Sequence, residues 1–246
     1  MIKFFRHIRQ NLIMKNKTGK YLKYAIGEII LVVIGILIAL SINNWNEFNK
    51  ERKLEQKVLT ELLTSLEHNY NQMVSDSTHR SNWNKSSDVI INHLEQHGAY
   101  SDTLNKHFQE ARKPGTNLSL SYAGYEGLKN VGYNIITSDT LRKNIVELFE
   151  LTQKALLEEM EYFESFQPDR QSHIDRLFSY EHDKFDANNP FNVPIIPNDY
   201  ESLINDPIYL PMIKSVTVQR NMISVMLHHN INETLNVIAL IKSELK

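Results

Sequence analysis

An apolar run near the N-terminus constrains this chain more than any other feature. Residues Ile29 to Leu40 are unbroken Ile, Leu, Val, Ala and Gly, and from Tyr24 to Trp45 the only charge is Glu28. At about 1.5 Å per helical residue this stretch reaches roughly 33 Å, enough to cross a hydrocarbon core of about 30 Å. The sequence therefore predicts a transmembrane helix over residues 24–45. Tyr21, Tyr24 and Trp45 sit where aromatic side chains anchor a span at the two membrane interfaces.

Residues 1–23 carry Lys3, Arg6, Arg9, Lys15, Lys17, Lys20 and Lys23 and no acidic residue. Basic residues flanking a first span are retained in the cytoplasm. This predicts an anchor in a bacterial cytoplasmic (inner) membrane, with the N-terminus inside and residues 46–246 in the periplasm. A cleaved signal peptide is the alternative, because Ala39-Leu40-Ser41 has small residues at a cleavage-like spacing. The long basic segment and the polar, helix-like continuation after the span favour an uncleaved anchor.

A carboxylate inside a span costs about 2.5–3.5 kcal/mol even on permissive scales, so Glu28 needs shielding. In a regular helix Glu28, Gly35 and Ala39 share one broad face, and Gly35 and Ala39 have the spacing that lets two helices approach closely. One account is association through this face. The other has Glu28 bending to the cytoplasmic edge beside Lys20 or Lys23, with the glycine incidental.

The first 45 residues hold seven positive charges and one negative, leaving 20 Lys+Arg and 28 Asp+Glu for residues 46–246, about −8. An acidic surface argues against nucleic acid and against wrapping on anionic lipid. The chain has no cysteine, which excludes disulfides and thiol chemistry.

Helical periodicity dominates the exported part. Leu54, Val58, Leu59, Leu62, Leu63, Leu66, Tyr70 and Met73 recur at threes and fours, predicting a helix that continues from the span to Ser75. Further helices are predicted over Ser87–Gln96, from a cap at Ser101 or Asp102 to Arg112, and over Tyr122–Asn130, closed by Gly132. Ser138 caps a long helix over Asp139–Ser165, with Leu141, Ile145, Leu148, Leu151, Ala155, Met160 and Phe163 on its apolar face. An amphipathic piece follows over Arg170–Tyr180. Five of the seven prolines lie between Pro190 and Pro211, so residues 183–211 are expected to form a loop or lid. A last helix spans Met212–Leu245. The fold class expected is all-α, a helical bundle joined to one transmembrane helix.

Chemical motifs are sparse. His93 and His97 stand four apart, a spacing that zinc sites use, but without the HExxH order; His107 would be a third ligand. A solvated helix face is the plainer reading, and no metal or cofactor is expected. Tyr122, Tyr125 and Tyr133, beside Glu126 and Lys129, offer a ligand or partner surface, or else pack a short helix into the bundle. No phosphate loop, dinucleotide fingerprint or nucleophile elbow is present, so no catalytic residue is proposed.

The block MIKFFRHIRQNLI, followed by KYLKYAIGEIILVVIGILIALSINNWNE, resembles a family of single-span membrane proteins of unknown function from Bacteroidota, particularly the flavobacterial group. A looser similarity covers YEGLKNVGYNIITSDTLRKNIVELFE, from Tyr125 to Glu150. Ser41 stands where the family pattern has Gln. The resemblance implies a location and an architecture, places Glu28, Gly35, Asn43, Asn44 and Trp45 in a characteristic block, and implies no activity. Two functions fit. One is a membrane-anchored periplasmic interaction or assembly protein that partners itself or another membrane protein in the bilayer. The other is a ligand-sensing module that signals through a partner, since some 23 cytoplasmic residues are too few for an output domain.

Overall fold

The computed structural model describes residues 18–188 and 193–246, the side chains of Thr18, Lys20 and Tyr21 excepted. The basic residues Lys3 to Lys17 and Pro190 lie outside that set. The chain divides into two compact units, Met1–Glu55 and Gln56–Lys246.

In the first unit the described residues form one helix. Its apolar side chains are exposed all round, from Ile29 at 64% through Ile36 at 55% to Ile42 at 62%. A helix apolar on every face and covered by nothing is suited to lipid rather than water. By length and composition it can cross a membrane, and it is the one such helix among the described residues.

That helix, α1, runs without interruption over Thr18–Glu95 and so belongs to both units. The break expected after Ser75 does not occur. Residues Ser75–Ser87 are rich in Ser, Asn, Asp and Thr, which compete for backbone hydrogen bonds and weaken a helix locally. Tertiary partners override this. Asp76, Arg80, Ser86 and Ser87 are all buried, and Arg80 Nε donates to Asp76 Oδ2 at 2.6 Å one turn away.

The second unit packs the remaining elements on α1. They are α2 (Leu104–Ala111), α3 (Ala123–Val131), α4 (Asp139–Glu147), a π turn (Leu148–Gln153), α5 (Lys154–Glu164) and α6 (Gln167–Leu177), then β1 (Phe178–Tyr180), β2 (Ile195–Pro197), α7 (Tyr200–Ile204) and α8 (Tyr209–Glu244). The expectation of an all-α fold holds for the bundle, with one small exception. Phe178–Tyr180, expected to be helical, is a strand paired antiparallel with Ile195–Pro197, Phe178 facing Pro197 and Tyr180 facing Ile195. The β-region backbone of Phe178 ends α6, and the aromatic-rich segment finds a partner in the proline-rich stretch, where helix is barred. That stretch thus carries a strand and the short helix α7 rather than being a plain loop. Pro211 falls in the first turn of α8, where a proline is tolerated, so α8 starts three residues earlier than expected.

The caps near α3 and α4 follow the sequence closely. Gly132 closes α3 with φ of 102°, a conformation that side chains rarely adopt. Ser138 Oγ accepts from the Leu141 amide at 3.3 Å and starts α4. Helix α2 begins at Leu104 with Thr103 at its cap position, one to two residues later than the expected cap at Ser101 or Asp102.

Three apolar clusters run along the bundle. One joins Val58, Leu62 and Leu66 of α1 to Leu128, Ile145, Leu148, Phe149, Val237 and Ile241. A middle cluster holds Met73, Leu156, Met160, Ile223 and Leu227. The third gathers Ile90, Leu94, Phe108, Phe178, Ile195, Tyr209 and Ile213. Between the last two lies a polar seam. Arg80 Nη1 donates to Pro114 O at 3.0 Å, and Asp76 also accepts from Thr116. Arg220, fully buried, donates to Ala111 O at 3.3 Å, Thr217 Oγ1 at 3.2 Å and Ser87 Oγ. Both guanidiniums thus cap the C-terminal end of α2 and the loop after it. Burial, reinforced by Arg80, pushes the pKa of Arg220 down to about 10, so it remains a cation at neutral pH.

Candidate functional site

The tyrosine segment is positioned by a close approach of backbones. A Cβ at Gly124 would lie 2.6 Å from Leu62 Cα and 2.8 Å from Glu61 O, so α3 sits directly on α1. Ser65 Oγ accepts from the Gly124 amide at 3.0 Å. The Asn69 amide brackets Ser121, accepting from its N–H at 2.6 Å and donating to its carbonyl at 3.0 Å.

Tyr125 is consequently buried, its ring stacked on Phe149 at 4.4 Å with the planes 2° apart. Its hydroxyl donates to Glu150 Oε1 at 2.8 Å and lies 3.0 Å from the Tyr133 hydroxyl. Burial first, then these two hydrogen bonds, raise its pKa far above the ordinary phenol value. Tyr125 is therefore a neutral donor that orients Glu150. Tyr122 meets the edge of Phe149 at 5.5 Å, and its pKa is raised by burial and by the Glu150 charge. Glu126 and Lys129 pair with each other at 3.0 Å on the surface, with Lys129 Nζ 5.5 Å over the Tyr125 ring. Of the five residues expected to form a surface, Tyr122 and Tyr125 are thus packing groups, and Tyr133 lies at the rim of a cavity.

That cavity is an open groove of about 700 Å³ beside α4 and the π turn. Tyr133, Val146 and Leu151 supply its apolar surface, Arg142 and Lys143 its cations, and Glu147 and Glu150 its anions. Two of these charges are fixed: Arg142 by Asp139 and the Ile136 carbonyl, and Glu150 by Tyr125. Lys143 and Glu147 have no ion-pair partner among the described residues.

The groove exists because the helix changes phase. Leu148 and Leu156 are eight residues apart, and at 100° per residue this leaves them about 80° out of step, whereas seven would leave about 20°. The π turn absorbs the extra residue, turning Leu156, Met160 and Phe163 into the core. Leu151 and Ala155, expected on the apolar face, are turned out, and Leu151 is 63% exposed. Gln153 takes the inward position and is fully buried. Arg142, Lys143, Glu147 and Glu150 were not singled out from sequence, and Leu151 was read only as a core residue; the eight-residue spacing is the signal that could have found them.

The other expectations fall as follows. Helix α1 ends at Glu95 and His97 has φ of 50°, so His93 and His97 do not share a helical face. His93 Nε2 lies 3.1 Å from Ala99 O, and His107 Nδ1 lies 3.0 Å from Ser86 Oγ. No group of three or more His, Asp or Glu side chains arranged to hold a metal occurs among the described residues. Along the span Glu28 is half-exposed and Gly35 and Ala39 are exposed. Tyr24 and Trp45, at 57% and 67% exposure, stand at its two ends; the Tyr21 side chain is outside the described set.

Residues 28–156 match a family described as being of unknown function (DUF6090). No curated protein and no solved structure matches.

Proposed function

Taking as premise that this chain belongs to DUF6090, a family of unknown function, we propose that it is a membrane-anchored interaction protein without catalytic activity of its own, whose helical domain holds a protein partner at the groove beside α4. The observation that carries this reading is the π turn. It places Leu151, 63% exposed, next to Val146 and to Lys143 and Glu147, which have no ion-pair partner among the described residues. An open apolar surface ringed by both signs of charge suits a protein segment better than a small molecule, which needs enclosure. The finer assignments belong to the same proposal. The span lies in the inner membrane of a bacterium of the Bacteroidota, with residues 1–23 in the cytoplasm and the bundle in the periplasm. Glu28, Gly35 and Ala39 line a face for a second copy or another membrane protein.

The test is photo-crosslinking in cells from a reactive amino acid placed at residue 151 of the full-length protein, with residue 225 on α8 as control. The reading expects one reproducible adduct from 151 and none from 225. Equal adducts from both, or a bare monomer in mild detergent, would remove it. The second reading, a ligand sensor, draws on the Tyr125–Tyr133–Glu150 hydrogen-bonded group at the groove floor. Stabilisation of the full-length protein by a periplasmic metabolite, abolished in Glu150→Gln, would favour it.

A further inference from the structure

Beneath the groove, the inward side of the π turn carries an anomaly. Gln153 is fully buried, and neither its Oε1 nor its Nε2 has a hydrogen-bond partner. The same holds for Oδ1 of Asn230, 1% exposed, and Oγ1 of Thr234, fully buried. Buried polar groups are nearly always paired, so four orphaned atoms on three side chains require an account.

The helix register brings the three together. Leu148 and Phe149 pack with Val237, Ile238 and Ile241, whereas Leu156 and Met160 pack with Ile223 and Leu227. The α4–α5 rod and α8 are thus antiparallel, and Gln153 falls at the level of Asn230 and Thr234, between two apolar clusters. On α1 the same level is Asn69, between Leu66 and Met73, whose amide is committed to Ser121. A layer of amides and a hydroxyl therefore divides the core.

We propose that Gln153, Asn230 and Thr234 form an internal water-binding site, and that this layer is a seam where the bundle opens more readily than in the apolar clusters on either side. The chemistry selects water over a cation. Three of the orphaned atoms can accept, but Gln153 Nε2 can only donate, and a metal ion would leave it unsatisfied; water does both. The seam underlies the segment that displays Glu150 and Leu151, so the groove rests on the least tightly held layer of the core.

Full-length protein in detergent tests this with Gln153→Leu, Thr234→Val and the double variant. If the side chains share a hydrated network, the singles are non-additive. The triple variant that adds Asn230→Leu, and so removes the last orphaned acceptor and dries the site, should unfold about 2–4 °C higher than the protein itself and slow amide exchange in residues 148–156 and 226–237 roughly fivefold. Additive losses of stability with unchanged exchange would overturn the proposal, since they mean a dry, tightly packed layer. Two measurements need no variant. Magnetisation transfer from long-lived water to the Gln153 side-chain amide is expected, and its absence would refute the site. Higher stability in sodium or potassium chloride than in choline chloride would replace water with a cation.

Discussion

Two regions of the bundle, its first apolar cluster and the arginine seam, are built on different principles. Around Leu62 and Ile145 the elements meet through apolar side chains and a glycine that lets α3 touch the α1 backbone. Around Arg80 and Arg220 the chain is held by buried guanidiniums bonded to carbonyls of the α2 end. An apolar contact is indifferent to small shifts along the helix, whereas a guanidinium with several acceptors specifies position. The apolar cluster derives its stability from burial, and the seam chiefly derives its geometry from polar partners. The family match covers α1 from Glu28 to the start of α5 and stops before the β ribbon and α8.

The comparison breaks most visibly at Arg80. Arg80→Met leaves Asp76 buried without its cation and should lower unfolding stability by about 3–5 kcal/mol in urea titration. A loss below about 1 kcal/mol would mean that the arginine seam is held by packing after all. At the apolar cluster, Gly124→Ala drives a methyl into α1 backbone, and about 1–3 kcal/mol should be lost by the same titration. Ser138→Ala removes the α4 cap and should cost about 1 kcal/mol, read as a lower thermal midpoint.

A milder effect is expected from acid. At Asp206 burial favours the neutral carboxyl, but the Ile208 amide, His173 and the Tyr209 amide outweigh it and hold the pKa below the usual carboxylate value. A depressed pKa contributes stability above the unfolded value of about 3.9 and loses it as pH falls through the folded value. Protection of the amides at the start of α8, with intrinsic exchange rates divided out, should therefore fall as pH drops below about 4, and Asp206→Asn should abolish that pH dependence. The smallest effect belongs to Lys129→Ala. Its surface pair with Glu126 is screened by solvent and contributes little, and high salt should erase the difference in a thermal scan.

What was legible in the sequence follows the same division. Gly132 and Ser138 act locally, through one backbone conformation and one hydrogen bond, so α3 and the start of α4 could be read within a residue. The span was readable because its signal is cumulative over some twenty positions. The stretch from Ser75 to Ser87 was not, because its helicity depends on Arg80 reaching Pro114 and on Arg220 arriving from a helix 133 positions beyond Ser87. The ribbon failed for the same reason: Phe178–Tyr180 becomes a strand only when Ile195–Pro197 lies beside it. Of the groove lining, Tyr133 was named from sequence and the groove itself was not, since periodicity was projected through Leu151 and Ala155 as if the helix kept step.

The π turn has an implication for the length of the chain. Leu148 and Leu156 would fall into step if Thr152 were deleted, and an ordinary helix could then join the two clusters without moving either. The shortened chain should still fold, with Leu151 drawn toward the interior and the groove flattened. That single residue is dispensable for the architecture, and its effect is confined to what the domain shows to its surroundings.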